Sequence, residues 1–350
     1  MYLKPLQEDD NNEDQELYEH HRVVVEKGQS LLRIDKYLMI RIPNATRSKL
    51  QQACDLDCIL VNDKPIKSSY KVKPFDVISI VLPNPPANTE VVPENIPLNI
   101  MYEDDDLLII NKPSGMVVHP GYNNTTGTLV NALAWHLKDV PFAKENNIRP
   151  GLVHRIDKNT TGLLVVAKTE HAMTHLAKQF YEHSIERSYN AIAWGDMPEE
   201  QGTITGYIGR SNHDRKIFQL YDDAEKGKWS VTHYKVIESL NYVSLIELKL
   251  ETGRTHQIRV HCKSIGHPLF GDTTYGGDRI LKGTTFTKYK QFVDNCFAIL
   301  PRQALHARSL GFIHPTTKQK MFFESELPTD FVQVLDKWKN YANFKPYGEE

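Results

Sequence analysis

The sequence predicts an α+β protein: a main domain with a mixed, mainly antiparallel sheet, and a small α/β domain before it. Three observations carry that expectation. Strand-like and helix-like segments beyond Pro83 are interspersed without a regular βαβ rhythm, which disfavours a doubly wound sheet. The run Pro83-Asn-Pro-Pro-Ala-Asn88 reads as a semi-rigid linker between two segments of different composition. At 350 residues the chain can bury one large core or two unequal ones.

Composition narrows the classes of function. With 40% hydrophobic and 25% charged residues it is that of an ordinary soluble globular protein. No apolar run is long enough to cross a bilayer, and the start lacks a charged n-region followed by an apolar stretch, so no membrane role is expected. Cys54, Cys58, Cys262 and Cys296 form neither a C-x-x-C pair nor a disulfide framework. A cytoplasmic location is the natural reading. The net charge of −2 means that any affinity for nucleic acid must come from local basic surface.

Residues 1–20 carry Glu8, Asp9, Asp10, Glu13, Asp14, Glu16 and Glu19 against Lys4 alone, and read as an acidic disordered tail. Residues 21–82 change character. Leu32, Ile34, Leu38 and Ile42 recur at helical spacing until Pro43 stops the helix. Thr46 reads as the N-cap of a second short helix, Arg47 to Ala53. Strands follow at 59–61 and 77–82, with Asn62-Asp63 as a turn. Arg33, Lys36, Arg41, Arg47, Lys49, Lys64, Lys67, Lys71 and Lys73 fall in this segment. Arg47 and Lys49 add side-chain charge to the free N–H groups of a helix start, which suits phosphate.

Beyond a linker at 83–95, residues 96–345 form the main domain. Ile100 to Tyr102 and Leu107 to Ile110 flank an acidic turn as a hairpin. Leu129 to Leu137 and Ala172 to Tyr181 read as helices; Ala172, Leu176 and Phe180 fall at i, i+4, i+8. Strands are expected at 189–194, 231–236 and 242–250, and a helix beginning near Thr255.

The most informative stretch is Gly151 to Lys168. Two apolar runs, read as buried strands, flank a polar turn holding Asp157, with Arg155 before it and Thr160, Thr161 and Gly162 after. A lone Asp in such a turn ordinarily bonds its own backbone. Four further motifs accompany it. Asn111-Lys-Pro-Ser-Gly-Met-Val-Val-His-Pro120 leads from a strand into a Pro/Gly turn. Arg187-Ser-Tyr189 opens a strand. Thr252-Gly-Arg-Thr-His-Gln-Ile-Arg-Val-His261 runs on to Gly266 to Asp272 and Tyr275. Leu305-His-Ala307 with His314-Pro315 reads as scaffold.

Together these motifs resemble the RluA-type family of RNA pseudouridine synthases. The family's His-Arg-Leu-Asp-x-x-Thr-Ser-Gly appears as His154-Arg-Ile-Asp-Lys-Asn-Thr-Thr-Gly162, and Gly-Arg-Thr-His-Gln-Ile-Arg is unchanged at Gly253 to Arg259. Ile156 and Thr161 depart from the pattern but keep size and polarity class. The resemblance runs from about Ile96 to the C-terminal region; Gly277 to Leu300 fits it poorly and reads as a variable surface insertion. Arg33-Ile-Asp-Lys-Tyr-Leu38, Arg47-Ser48, Val61-Asn-Asp-Lys64 and Asp76-Val-Ile-Ser-Ile80 resemble the S4 RNA-binding domain. The layout is thus similar to the RluD branch, which acts on large-subunit ribosomal RNA.

The resemblance implies a sheet domain of the pseudouridine synthase type and isomerisation of uridines in RNA, 23S rRNA or a precursor ribosomal particle being the expected partner of a monomeric enzyme. It assigns Asp157 as nucleophile, Tyr189 as the ring that stacks on the target base, Arg259 as the partner of the aspartate, and Arg155 as an RNA contact that holds out the flipped nucleotide. Arg254, His256, Arg33, Arg47 and Lys49 are the further RNA-binding candidates. The chemistry fits these residue types. Breaking C1′–N1, turning the uracil and joining C5 to C1′ gains no atoms and changes no oxidation state, so neither cofactor nor metal is expected. An ionised carboxylate can attack the electron-poor C1′, stabilise it, or remove a sugar proton. A guanidinium beside it favours the ionised form. Tyr189 offers a flat face and a hydroxyl near the C5 proton.

Four other readings compete. A tRNA substrate needs no change of motif. A non-catalytic RNA-binding or ribosome-assembly protein sits poorly with intact Asp157, Tyr189 and Arg259. A metal-dependent hydrolase using His154, Asp157, His256 and His261 lacks a ligand spacing, because residues five apart on a helix face differently. A Ser-His-Asp hydrolase lacks a G-x-S-x-G elbow.

Overall fold

A computed structural model describes residues 18–29, 31–42, 45–82, 91–120, 124–142, 151–211, 214 and 217–343. The acidic tail through residue 17, Pro43 and most of the proline-rich linker lie outside the described residues. The chain forms two compact units: Met1–Val92 with His119–Thr128, and Pro93–Val118 with Leu129–Glu350.

In the first unit, strands β1 (Tyr18–Val24), β2 (Ile59–Val61), β3 (Lys64–Pro65) and β4 (Val77–Leu82) make an antiparallel sheet in the order β1-β4-β2-β3. Helices α1 (Ile34–Arg41) and α2 (Arg47–Asp55) cover it. Ile34, Tyr37, Leu38, Leu50 and Cys54 pack with Ile59, Val61, Ile78 and Ile80. Thr46 caps α2 as expected, its hydroxyl accepting from the Lys49 N–H. That bond removes one of the free donors expected at this helix start. Asn62 and Asp63 turn the chain with φ of 50° and 63°, which these residue types tolerate. β1 is a correction: Tyr18 to His20, assigned to the acidic tail, begin a strand paired with β4. As an edge strand rich in Glu, His and Arg it shows no apolar alternation.

The second unit is built on a ten-stranded sheet in the order β10-β9-β11-β12-β8-β13-β7-β6-β5, with β14 also paired to β13. The strands are β5 (Ile100–Glu103), β6 (Leu107–Lys112), β7 (Thr161–Ala167), β8 (Glu186–Trp194), β9 (Gln201–Arg210), β10 (Phe218–Tyr221), β11 (Lys228–Ser239), β12 (Val243–Leu250), β13 (Leu305–Ile313) and β14 (Lys320–Glu324). All neighbours are antiparallel except β13 and β7, which is the mixed sheet the sequence predicts. The helices are α3 (Leu129–His136), α4 (Glu170–Tyr181), α5 (Gln257–Ser264), α6 (Thr287–Ile299) and α7 (Thr329–Asn343).

Strand alternation decides what each face holds. On β8, Ile192 and Trp194 face a core shared with Leu245, Phe270, Tyr289, Val293, Cys296, Phe331, Val334 and Trp338. Tyr189, of opposite parity, faces the other way. It pairs with Leu248, and Leu250 pairs with Thr232, so Tyr189 and Thr232 share a face. Thr232 and Ser230 engage His261 of α5, which therefore lies on the Tyr189 side.

Three expectations are corrected here. Gly277 to Leu300 is no surface insertion. Tyr289, Val293 and Cys296 of α6 are buried at i, i+4, i+7 against α7, and the Trp194 indole donates to the Gly277 carbonyl at 2.8 Å. Polar residues around these apolar positions hide the amphipathic period. The run before Asp157 is not a strand: only Leu152 bridges, to Val166. Gly151, at φ +66°, lies so close to the Ala167 backbone that a side chain there would collide with it. The helix expected to begin near Thr255 begins at Gln257.

Candidate active site

Asp157 lies in the turn before β7, and Arg259 reaches it from α5. The Arg259 Nη1 donates to Asp157 Oδ2 at 2.9 Å, while its Nε and Nη2 grip Asp272 at 2.7 and 2.9 Å. One guanidinium thus orders two carboxylates, with Asp272 fully buried and Asp157 left 19% exposed. Asp272 also accepts the Thr274 and Tyr275 N–H groups. Burial opposes ionisation of Asp157, but His256 when protonated, and Arg259 at every pH, outweigh it and hold the carboxyl below its ordinary value. Burial also lowers His256 below its ordinary value, so at neutral pH the imidazole is uncharged and Arg259 is the standing cation. Arg259 itself is raised further, the two carboxylates overcoming desolvation.

Tyr189 is buried on the same side of the sheet, where burial raises its hydroxyl pKa, Asp157 adding to the rise and Arg187 opposing it. Arg187, two residues earlier on the same face, stacks over Phe180 and borders Gly253. Arg155 is half-buried and contributes to the field at both Asp157 and His256.

The Asp157 turn is fastened from several sides by residues whose role the sequence does not announce. Lys112, fully buried at the end of β6, donates to the carbonyls of Pro113, Met116 and Lys158 at 2.9 to 3.0 Å. Three acceptors call for three N–H bonds, which is the ammonium form, although burial draws its pKa down to about 7 against the pull of Asp157. Arg302 donates to the Asn159 carbonyl and is clamped by Asp330 of α7 at 2.9 Å. Gln303 reaches the Thr160 hydroxyl, and Thr161 meets His306 at 2.8 Å. The Asn111-Lys112-Pro113 motif is the available signal for the first. Leu305-His-Ala307, read as scaffold, is the signal for the last.

The motif from Thr252 to Arg259 divides physically. The Gln257 side chain accepts from Thr252 and the Arg254 N–H, and donates to the Val231 carbonyl and Thr232. It ties the turn to β11. The Arg254 side chain donates to the Trp229 carbonyl at 3.2 Å. His256 stands at the turn in the left-handed region, φ +56°, ψ +18°.

Other candidates separate from this centre. His154 stacks on Phe180 and its Nε2 accepts the Val165 N–H; burial lowers it to about 3. Both ring nitrogens of His261 are engaged by Ser230 and Thr232. The His154, Asp157, His256, His261 ligand set of the hydrolase reading does not assemble, and among the described residues no other group of His, Cys, Asp and Glu is arranged to hold a metal. Arg33 and Arg47 belong to the other unit. Both bind the buried Asp35, with Gln51 as a third donor, so each is fixed by a structural ion pair, with part of each side chain exposed. Lys49 is exposed on α2.

Comparison with known proteins identifies the family. Residues 106–264 match the RNA pseudouridylate synthase family and residues 32–78 the S4 domain. An uncharacterized RNA pseudouridine synthase of Chlorobaculum parvum is 47% identical, with 89% of this chain and 96% of the relative covered. Ribosomal large subunit pseudouridine synthase D of Zymomonas mobilis is 42% identical, with 89% and 95% covered. The solved structure of human RNA pseudouridylate synthase domain containing 4 superposes with a TM-score of 0.55 at 26% identity, over 69% of this chain and 93% of that one. The chain belongs to the RNA pseudouridine synthase family and is an RNA-modifying isomerase with an S4 domain.

Proposed function

We propose that this enzyme isomerises specific uridines of large-subunit ribosomal RNA, 23S rRNA or a precursor particle, with Asp157 as the nucleophile. The observation that carries the catalytic assignment is the Arg259 bridge, which keeps Asp157 ionised and aimed. The relative named for the ribosomal large subunit, matched over nearly its whole length, favours this substrate over tRNA.

In the proposed reaction the target uridine leaves its stack, at a cost of a few kcal/mol offset by RNA contacts. Arg155 and Arg254 bind the RNA beside the site. Asp157 attacks C1′ as the C1′–N1 bond breaks, and the detached uracil turns against the ring of Tyr189. C5 then bonds to C1′ as the Asp157 carboxylate leaves it, the Tyr189 hydroxyl assists departure of the C5 proton, and N1 takes up a proton from solvent. The S4-like unit at residues 21–82 supplies phosphate contacts through its basic side chains, Lys49 and the exposed parts of Arg33 and Arg47 among them. The enzyme acts as a cytoplasmic monomer; no helix among the described residues is long and apolar enough to cross a membrane.

The Asp157→Asn variant tests the nucleophile. It should lose at least about 10⁴-fold in tritium release from 5-tritiated uridine in RNA while binding that RNA normally, because phosphate contacts dominate affinity. Turnover above about 1% of the unaltered enzyme would refute the assignment. Pseudouridine mapping in a deletion strain identifies the substrate: sites lost from tRNA, with ribosomal RNA unchanged, would overturn the ribosomal reading.

A further inference from the structure

His256 has features that RNA binding does not require. It holds a left-handed backbone conformation without being glycine, which costs on the order of 1 kcal/mol and persists only where surroundings enforce it. Its ring sits edge-to-face with both Phe218 and Tyr275, centroids 5.6 Å away in each case. The Tyr275 hydroxyl lies 2.8 Å from His256 Nδ1 and accepts the Phe218 N–H at 3.1 Å.

These contacts fix the tautomer. Tyr275 is buried, and its oxygen already accepts from Phe218, so its own proton needs an acceptor. Nδ1 of His256 is the one within reach among the described residues. Nδ1 therefore accepts, and the proton of the neutral ring resides on Nε2. That Nε2–H points toward the site, 3.9 Å from Asp157 Oδ2. The separation is too long for a hydrogen bond and leaves the donor open to a substrate atom beside the carboxylate.

Resting on the isomerase reading above, we propose that His256 is a catalytic residue whose Nε2–H donates a hydrogen bond to the uracil carbonyl oxygen that gains negative charge as C1′–N1 breaks. No proton is transferred: the electron pair of the broken bond stays on the uracil, and the neutral N–H stabilises it. A neutral donor suits the task because an imidazolium this close would pair with Asp157 and blunt the nucleophile. Burial keeps the ring neutral against the pull of Asp157 and Asp272, with Arg259 and Arg155 acting in the same direction as burial. Tyr275 is a positioning residue, acting through His256.

The test uses the full-length enzyme and RNA carrying uridine or 5-fluorouridine at the target. The fluorine makes the departing base less basic, so it needs less stabilisation. His256→Ala should slow single-turnover cleavage of the uridine substrate about 10²–10³-fold, the range for loss of one such donor, with RNA affinity within about 3-fold. The loss should shrink at least about tenfold on 5-fluorouridine, and His256→Gln should recover part of the rate through its amide N–H. Nitrogen-15 NMR should show Nε2 protonated in the unaltered enzyme and a mixed tautomer in Tyr275→Phe. Equal losses on both bases, or a proton on Nδ1 in the unaltered enzyme, would overturn the proposal. The comparison remains readable whatever Asp157→Asn shows, because it compares two leaving groups rather than two nucleophiles.

Discussion

Replacing Gly162 with Ala tests whether the Asp157 turn owes its position to the seam between β7 and β13. Gly162 has φ +116°, and an ideal Cβ there would stand 2.7 Å from the backbone carbon and nitrogen of Ala307, and closer still to its carbonyl oxygen. Ordinary contact begins near 3.4 Å, so the two backbones must part by roughly 0.7 Å or more. Backbone strain contributes about 1–3 kcal/mol and overpacking about as much again. A loss of about 4 kcal/mol lowers Tm by roughly 10 °C in a domain of this size. The displaced seam carries Thr161, whose hydroxyl meets His306, and Asp157 lies just before it. A displacement approaching 1 Å costs up to about 10²-fold in rate, so single-turnover tritium release should fall about 30- to 100-fold. Gly115→Ala is the control. Its φ is +84° but nothing lies within 4 Å of the added methyl, so backbone strain of about 1 kcal/mol should lower Tm by about 2–4 °C and leave the rate within about threefold. Circular dichroism melting and the tritium assay on both variants decide. Equal Tm and rate losses in the two variants would refute the seam as the source of the effect.

Lys112→Met removes three donors but also the burial of an ammonium group, and Gly115 still serves the Lys158 carbonyl. The opposing changes should leave Tm within about 5 °C while kcat falls about tenfold at unchanged KM, which steady-state kinetics and melting measure separately. In the S4 unit, Arg33, Arg47 and Gln51 overcome the burial of Asp35 and lower its pKa. The stability from that depressed pKa is fully present above the unfolded value of about 3.9 and is lost as pH falls through the folded value; Asp35→Asn should abolish this acid limb in melts of the full chain. Changing the exposed Lys64, Lys67, Lys71 and Lys73 to Gln should reduce the salt slope of RNA binding by up to about 0.7 for each phosphate no longer neutralised, while single-turnover chemistry at saturating enzyme is unchanged.

What the sequence disclosed depended on whether a physical requirement is local. The Thr46 cap, the Asn62-Asp63 turn, the hairpin of β5 and β6 and the mixed sheet all rest on short-range pattern, and the structure has them. The Asp157 turn was recognisable because Asp, Thr and Gly are packed into six residues. β9 escaped because Gly and Thr dilute its alternation, β10 because four residues are too few to show one, and α6 because its flanks are polar. Asp272 was named only as the end of a motif. Its partner Arg259 is 13 residues away, and nothing short-range marks a carboxylate whose role is to hold a guanidinium.

The site also shows why catalytic residues and their supports differ in legibility. In the proposed reaction Asp157 and Tyr189 meet one substrate, so their types are narrowly set by chemistry. Lys112, Arg302 and Gln303 bind backbone carbonyls or a hydroxyl of the turn, and such groups are offered by every residue. Their identity matters only through reach and donor count, which sequence does not reveal until the fold brings them to the turn. Asp330 goes one step further from the chemistry. Through Arg302 it connects the last helix to the Asn159 carbonyl, two residues from Asp157. The C-terminal helix therefore belongs to the apparatus that holds the Asp157 turn still. Unwinding its first turn should lower kcat before it lowers RNA affinity, since the basic side chains proposed to contact phosphate lie in a separate segment of the chain.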